Sequence, residues 1–357
     1  MSEISYEFLR ERIIQQKTIL LIGPSLTVNF NDADFEKKEL LKIKASCSGE
    51  EIISYHEDDN FLMFKDLKTK SRYAYKMMDI YKNSFKNPVL EKIAEIPFHA
   101  YFQVTPDLTL TEIMEQKQFS HQYNYYSGTR LRDVPQAPTI TEPLVYHLFG
   151  SVKEEESIVV SHYDLFAYIK SLSSCLPENI KSCFNPINTK NIIFIGFEFD
   201  KWYYQLILSM LSNEFDKFDN FSPRDTDLKS EVEAFCKNQF NTTFVDTNIT
   251  EFVENLYNQF KPEQLRQAAK IMKTSKTYIK PNIVKMLVSA FSGTDLETMC
   301  MCNFDKVYDE FNPEQSKTAR VNLLMDYIVK NNKYEELLTV CKDENPVMFE
   351  KFSPYFE

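Results

Sequence analysis

The sequence predicts a doubly wound, mainly parallel α/β sheet followed by a second, small all-helical domain, and three observations predict it. Two short apolar runs, Thr18-Ile-Leu-Leu-Ile-Gly23 and Asn191-Ile-Ile-Phe-Ile-Gly196, are continuous and end on glycine, as strands buried on both faces do. Strand-like and helix-like segments alternate over roughly the first 250 residues, the signature of a Rossmann-like layered sheet. From Lys261 onward the apolar spacing is helical throughout, and no β-rich run of strand length recurs. A chain of 357 residues has room for two domains at roughly 150 residues each.

The elements follow in order. Tyr6 to Gln16 places Phe8, Leu9, Ile13 and Ile14 on one side of a helix. The first strand, Thr18 to Ile22, stops at Gly23-Pro24, where a loop or helix start is expected. Helical spacing covers Lys70 to Lys82 and Pro88 to Ile96, and Ala100 to Val104 is the second strand. Tyr123 to Gly128 and Leu144 to Phe149 are β-rich and aromatic, and Ser157 to Val160 reads as a further short strand. His162 to Ser171 and Glu178 to Cys183 are helical, and the strand at 191–196 is followed by a helix over Lys201 to Leu211. Thr243 to Asp246 and a helix over Glu251 to Phe260 complete the alternating pattern.

In the tail, Pro281 starts a helix carrying Ile283, Val284, Leu287 and Val288, and Thr294 or Asp295 caps the next. Pro313 opens a region leading to a helix at Lys317 to Lys330, Tyr334 to Cys341 is another, and Pro346 starts the last. The expected division is 1–258, a connecting segment at 259–280, and a helical domain at 281–357.

Composition narrows the function. Six glycines leave little material for Gly-rich phosphate cradles, and neither a GxxxxGK[ST] nor a GxGxxG string occurs. A net charge of −11 repels polyanions, which argues against nucleic-acid binding. No apolar run reaches the span a bilayer demands, and no signal region is visible at the N-terminus, so a cytoplasmic location is expected. The seven cysteines, at 47, 175, 183, 236, 300, 302 and 341, form no CxxC pair, which predicts reduced thiols and no metal site.

Three positions carry the chemistry: Gly23 after the first strand, Thr105-Pro106-Asp107 after the second, and His147-Leu-Phe-Gly150-Ser151 at a later strand end. A parallel sheet brings such positions to one rim, where α/β proteins bind their ligands. A histidine beside a Gly-Ser turn, with an aspartate on a neighbouring loop, supplies base and polarising chemistry at a sugar or carbonyl centre.

The order and spacing of these segments resemble the sirtuin-like family, in its divergent NAD-consuming prokaryotic branch. Gly23-Pro-Ser25-Leu-Thr27 stands at that family's Gly-Ala-Gly-x-Ser loop, and Gln103-Val-Thr105-Pro-Asp107 at its Thr-x-Asn-x-Asp segment. Pro143 to Ser151 is similar to its His-Gly catalytic segment, Ser157 to Asp164 to the stretch that follows, and Ile192 to Trp202 to its late Gly-x-x-x-Asp loop. The resemblance spans residues 1–258. Segments within 281–346 resemble the effector-associated domains of bacterial conflict systems, helical death-like adaptors that recruit partners by homotypic contact.

The resemblance implies an NAD hydrolase that cleaves the nicotinamide–ribose bond to nicotinamide and ADP-ribose in antiphage defence. It implies His147, Asp107 and Thr105 as catalytic residues, and Gly23, Ser25, Thr27, Gly150, Ser151, Gly196 and Phe197 as nucleotide-binding. NAD is then a substrate with no metal required, a protein partner docks on the helical domain, and the chain forms homo-oligomers. Thr105 stands where the family has an asparagine, and Pro24 removes a glycine and an N–H donor from the loop. The alternative is a catalytically degenerate nucleotide-binding or scaffolding protein acting through protein–protein contacts.

Overall fold

The computed structural model describes residues 4–27, 35–47, 51–82, 87–174, 176–212, 214–224, 228–268, 278–312, 315–331 and 333–356. Two compact units emerge, 1–270 and 271–357.

Among the described residues the first unit has nine strands: β1 Thr18–Ile22, β2 Ile52–His56, β3 Phe61–Phe64, β4 Ala100–Gln103, β5 Gln122–Tyr125, β6 Leu144–His147, β7 Asn191–Ile195, β8 Asp219–Pro223 and β9 Thr242–Val245. Seven of them form one sheet in the order β5-β6-β4-β1-β7-β8-β9. Every pairing in it is parallel. β1 and β7 sit at its centre with all five residues of each buried, which is why their sequences are unbroken apolar runs. From β1 the chain winds one way to β4, β5 and β6, then crosses back to β7, so the strand order reverses between β1 and β7. The crevice beyond the carboxyl ends of the strands at such a reversal is where open α/β sheets hold ligands.

Two apolar cores cover the two faces of this sheet. Ile19, Leu21, Phe102, Tyr146 and Phe194 point into one, and Leu20, Ile22, Tyr101, Val145 and Ile193 into the other. The alternation along each strand is the period-two pleat at work.

An insertion between β1 and β4 has a small core of its own. The helix Phe35–Ala45, the antiparallel hairpin β2–β3 and the helix Leu67–Lys82 pack together through Leu40, Ile52, Leu62, Tyr73 and Tyr81. The sequence reading finds only the second of these helices. The helices Thr109–Gln116 and Ser230–Phe240 and the strand β8 are likewise additions.

The strand expected at Ser157 to Val160 is not one. A short 3-10 turn, Glu155–Ser157, leads into an irregular segment. Its backbone joins two different neighbours: Val159 N donates to Phe149 O at 3.2 Å, and Val160 O accepts from Leu62 N at 3.1 Å. The apolar side chains Ile158, Val159 and Val160 are buried between those neighbours, which accounts for the β-like pattern without a ladder.

Arg266 ties the end of the first unit to the start of β4. Its backbone N–H donates to Glu95 O at 2.7 Å, and its guanidinium donates to Ala94 O, Phe98 O, Ile140 O and Tyr101 Oη at 2.5 to 3.2 Å. The connecting segment expected at 259–280 therefore begins as part of this unit, and its residues 269–277 lie outside the described residues.

The second unit has helices at Lys280–Ala290, Gly293–Asn303, Asp305–Tyr308, Lys317–Asn331, Tyr334–Glu344 and Pro346–Lys351. They enclose a core of Ile283, Leu287, Leu296, Leu324, Ile328 and Leu337. Ser292, and not Thr294 or Asp295, is the N-cap of Gly293–Asn303. Its hydroxyl accepts from Asp295 N, and the Asp295 carboxylate accepts from Ser292 N, a reciprocal capping box. Pro313, expected to open the next region, lies outside the described residues.

Candidate functional site

The carboxyl ends of β4, β6, β1 and β7 carry the residues singled out from the sequence. Gly23 N donates to Ile195 O at 2.8 Å, and Ser25 N donates to Gly196 O at 3.3 Å. The two loops touch so closely that a Cβ on Gly23 would lie 1.9 Å from Gly196 O. Gly196 has a φ of +64°, which favours glycine. Pro24–Thr27 forms one helical turn, in which Leu26 N donates to Gly23 O. The amides of residues 23, 25 and 26 are thus bonded within the protein, and Pro24 has none to offer. The side chain of Thr27 lies outside the described residues.

After β4, Thr105 Oγ1 donates to Asp107 Oδ2 at 2.7 Å, and Asp107 Oδ1 accepts from Thr109 N at 3.1 Å. Both side chains are buried. His147 ends β6 directly opposite Gln103 of β4 and Tyr125 of β5. It is 0% exposed, and neither ring nitrogen has a well-aligned hydrogen bond among the described residues, although backbone groups of Pro106 and Gly150 lie close enough to act on the ring. Burial pushes its imidazole down to about 4, against the pull of Asp107, so the ring is neutral at pH 7. Both polar atoms of the buried Gln103 side chain are also unpartnered. Other buried polar atoms without partners among the described residues lie at the amino edge of the sheet, at Thr18, Gln122 and Asn191; His147 and Gln103 differ in standing at the carboxyl ends of two adjacent strands, the edge at which parallel sheets bind ligands.

Gly150 has a φ of +89° and packs its Cα side against Ser157 O. Ser151 Oγ lies 2.5 Å from Tyr123 Oη, whose ring meets His147 edge-on at 5.1 Å. Phe197 is buried against Phe194, Phe199 and Tyr204. Ser151 and Phe197 are therefore engaged in packing behind the rim.

A narrow crevice of roughly 30 Å³, room for about one water, lies against Thr105 and Pro24. Glu36 and Tyr81 from the insertion, Asp59 and Asn60 from the hairpin turn, and Glu198 with Tyr203 after β7 complete its walls. The sequence reading did not single these out. Glu198 does fall inside the quoted 192–202 segment, but Glu36 and Tyr81 carry no local signal. Tyr81 Oη donates to Glu36 Oε1 at 2.5 Å. Burial raises the Glu36 carboxyl above its usual range and pushes Glu198 up to about 7, where Glu36 and Asp200 add and Lys201, 3.9 Å away, opposes. No lysine or arginine is among the described residues lining the crevice, and no three potential metal ligands cluster among the described residues.

The hairpin turn is clasped over this crevice. Asp59 accepts from Trp202 Nε1 at 3.2 Å on Oδ1 and pairs with His162 Nε2 at 2.8 Å on Oδ2. Tyr203 Oη donates to Asp59 O at 3.2 Å, and Lys201 Nζ donates to Asp58 O.

A parallel sheet whose strand order reverses between β1 and β7, with a crevice at the carboxyl ends of its strands, defines an α/β domain of the doubly wound class. Residues 99–233 match the SIR2-like domain family, and residues 283–346 match effector-associated domain 7. The chain carries a SIR2-like domain followed by an effector-associated domain. No curated protein matches the sequence. No helix among the described residues is long and apolar enough to cross a membrane.

Proposed function

We propose that the chain is an NAD hydrolase of a bacterial conflict system, cleaving the nicotinamide–ribose bond and controlled through its helical domain. The observation that carries this reading is the set of orphaned buried polar groups, His147 and Gln103, beside the Thr105–Asp107 pair on the rim of a SIR2-like domain. The neutral imidazole of His147 suits an acceptor of a ribose hydroxyl proton, and Asp107 keeps a negative charge near the cationic nicotinamide side. The effector-associated match supports a protein partner for the second unit, and cytoplasmic, homo-oligomeric assembly belongs to the same reading.

The test is incubation of the purified full chain with NAD, with and without candidate partners, and chromatographic separation of products. Nicotinamide and ADP-ribose in equal amounts are expected. The second reading, a nucleotide-binding or scaffolding domain without turnover, is favoured by one feature: the amides of Gly23, Ser25 and Leu26 are already bonded within the protein, leaving less for a pyrophosphate. Bound but intact NAD is its expected outcome.

A further inference from the structure

We propose that the outer face formed by β3 and the helices Leu67–Lys82 and His162–Ser174 docks a second copy of this chain, an aromatic side chain of each copy entering an apolar hollow of the other. The proposal gives the homo-oligomer a surface in the fold, and it stands or falls separately from NAD cleavage.

The hollow measures about 330 Å³, and Leu62, Met63, Phe64, Leu67 and Tyr163 give it apolar walls. Its polar groups are already engaged. Lys70 pairs with Asp164, Ser161 Oγ donates to Asp164 Oδ2 at 2.7 Å, Asp66 Oδ1 accepts from Thr69 N at 2.7 Å, and His162 pairs with Asp59 at 2.8 Å. What the hollow still offers is apolar surface, so its occupant is an apolar side chain and not an ion.

The helix His162–Ser174 turns aromatic rings toward solvent. Asp164, Leu165, Tyr168, Ser171 and Leu172 are buried, so positions 163, 166 and 170 form its outer stripe, where polar residues belong. Two of the three are aromatic, Tyr163 at 64% and Phe166 at 59% exposed. Tyr163 lines the hollow, and Phe166 lies about one turn further along the same side of the helix. Met63 and Leu67, at 48% and 57%, carry the patch across the hollow. Single exposed apolar residues are ordinary, but large ones gathered round a cavity mark an interaction site.

A hollow and a projecting ring of matching chemistry stand side by side on one face. An isologous pair needs that arrangement: about a two-fold axis, Phe166 of each copy meets the hollow of the other, and both junctions form together. Charge permits the approach. A chain of net charge −11 repels its own copies, but the segment along the hollow exposes Lys65 and Lys68 beside Asp66, which offsets the acidic field where the copies meet.

The experiment is sedimentation of the full chain as wild type, as Phe166→Glu, as Leu67→Glu, and as an equimolar mixture of the two variants. Wild type is expected to be at least dimeric. Each variant is expected to weaken association by about 100-fold or more, since an acid replaces an apolar anchor at both junctions, and to keep the wild-type unfolding temperature, since both positions are exposed. Phe166→Gln, without a charge, weakens association in the same direction and serves if the acid disturbs the fold. The mixture is expected to pair more tightly than either variant alone, because one of its two junctions joins an unaltered ring to an unaltered hollow. A wild type that stays monomeric, an association that survives both substitutions, or a mixture no tighter than its components overturns the proposal and leaves the NAD reading untouched.

Discussion

Thr105 donates its hydroxyl proton to Asp107 at 2.7 Å, so the residue that replaces the resembling family's asparagine is spent on holding the neighbouring carboxylate. With Thr109 N on its other oxygen, Asp107 is fixed in one orientation. Thr105→Val keeps the shape and removes the donor. It is expected to lower stability by about 1.5–3 kcal/mol, the usual worth of a buried hydrogen bond to a charged group, measured by urea unfolding. Thr105→Asn restores an amide at this position and is expected to raise nicotinamide release.

His147→Ala is expected to leave the fold intact and reduce NAD cleavage by about 100-fold. Its effect should lower the rate without changing its dependence on pH near neutrality, because the ring is already neutral above about 4. Circular dichroism on the same sample separates lost chemistry from lost structure.

A second buried histidine gives stability a pH dependence away from the site. Burial pushes His99 down to about 4, below the 6.5 of a free imidazole. Between those values the unfolded chain binds a proton there that the folded chain does not, so this residue's contribution is full above 6.5 and is lost as pH falls toward 4. The raised carboxyl of Glu198 acts with the opposite sign over about 4.5 to 7, so the comparison is made between wild type and His99→Gln, where that contribution cancels. The variant is expected to lose about 1.4 kcal/mol less per pH unit than wild type in this window, read from urea midpoints at pH 7 and 5.

Arg266 satisfies four acceptors on the segments that lead into β4 and β6. Arg266→Ala leaves these buried groups without their donor and is expected to cost about 3 kcal/mol or more. Arg266→Lys should restore little of it, since one ammonium cannot reproduce the planar fork. Unfolding of the first unit, followed by tryptophan fluorescence of Trp202, reports both.

Gly23→Ala is expected to be among the most damaging single substitutions, because the new Cβ would meet Gly196 O at 1.9 Å. Gly293→Ala has nothing within 4 Å of its Cβ and should be neutral or stabilising by about 0.5 kcal/mol. Thermal unfolding of the pair decides whether close approach, and not glycine content, is what matters at 23.

The legible parts of the fold are those whose sequence repeats their environment. β1 and β7 are buried on both faces and read as unbroken apolar runs, whereas β8, Asp219-Asn-Phe-Ser-Pro223, is polar at three of its five places. Its Asn220 is buried because its amide donates to Phe240 O, a partner 20 residues away that no local pattern reveals. The hairpin β2–β3 went unseen because only one face is covered, with Ile53 and Met63 exposed, and its turn at 57–60 lacks an Asn-Gly or Asp-Gly signal. At the rim, Gly23, Thr105, Asp107 and His147 were legible as residues ending apolar strands. Glu36, Tyr81 and Glu198 converge on one crevice from a stretch of chain more than 160 residues long, and nothing in their neighbours announces it.

The clasp on Asp59 bears on the order in which this molecule assembles and loosens. Its partners His162 and Trp202 lie 103 and 143 residues along the chain, so the contact closes only after the central strands are in place and the loop-closure entropy has been met. The two-stranded ribbon shares no ladder with the main sheet. The outer wall of the crevice is therefore a low-stability unit riding on a high-stability platform. Its amides at 57–60 are expected to exchange with solvent deuterium well before those of β1 and β7, as hydrogen exchange would read directly.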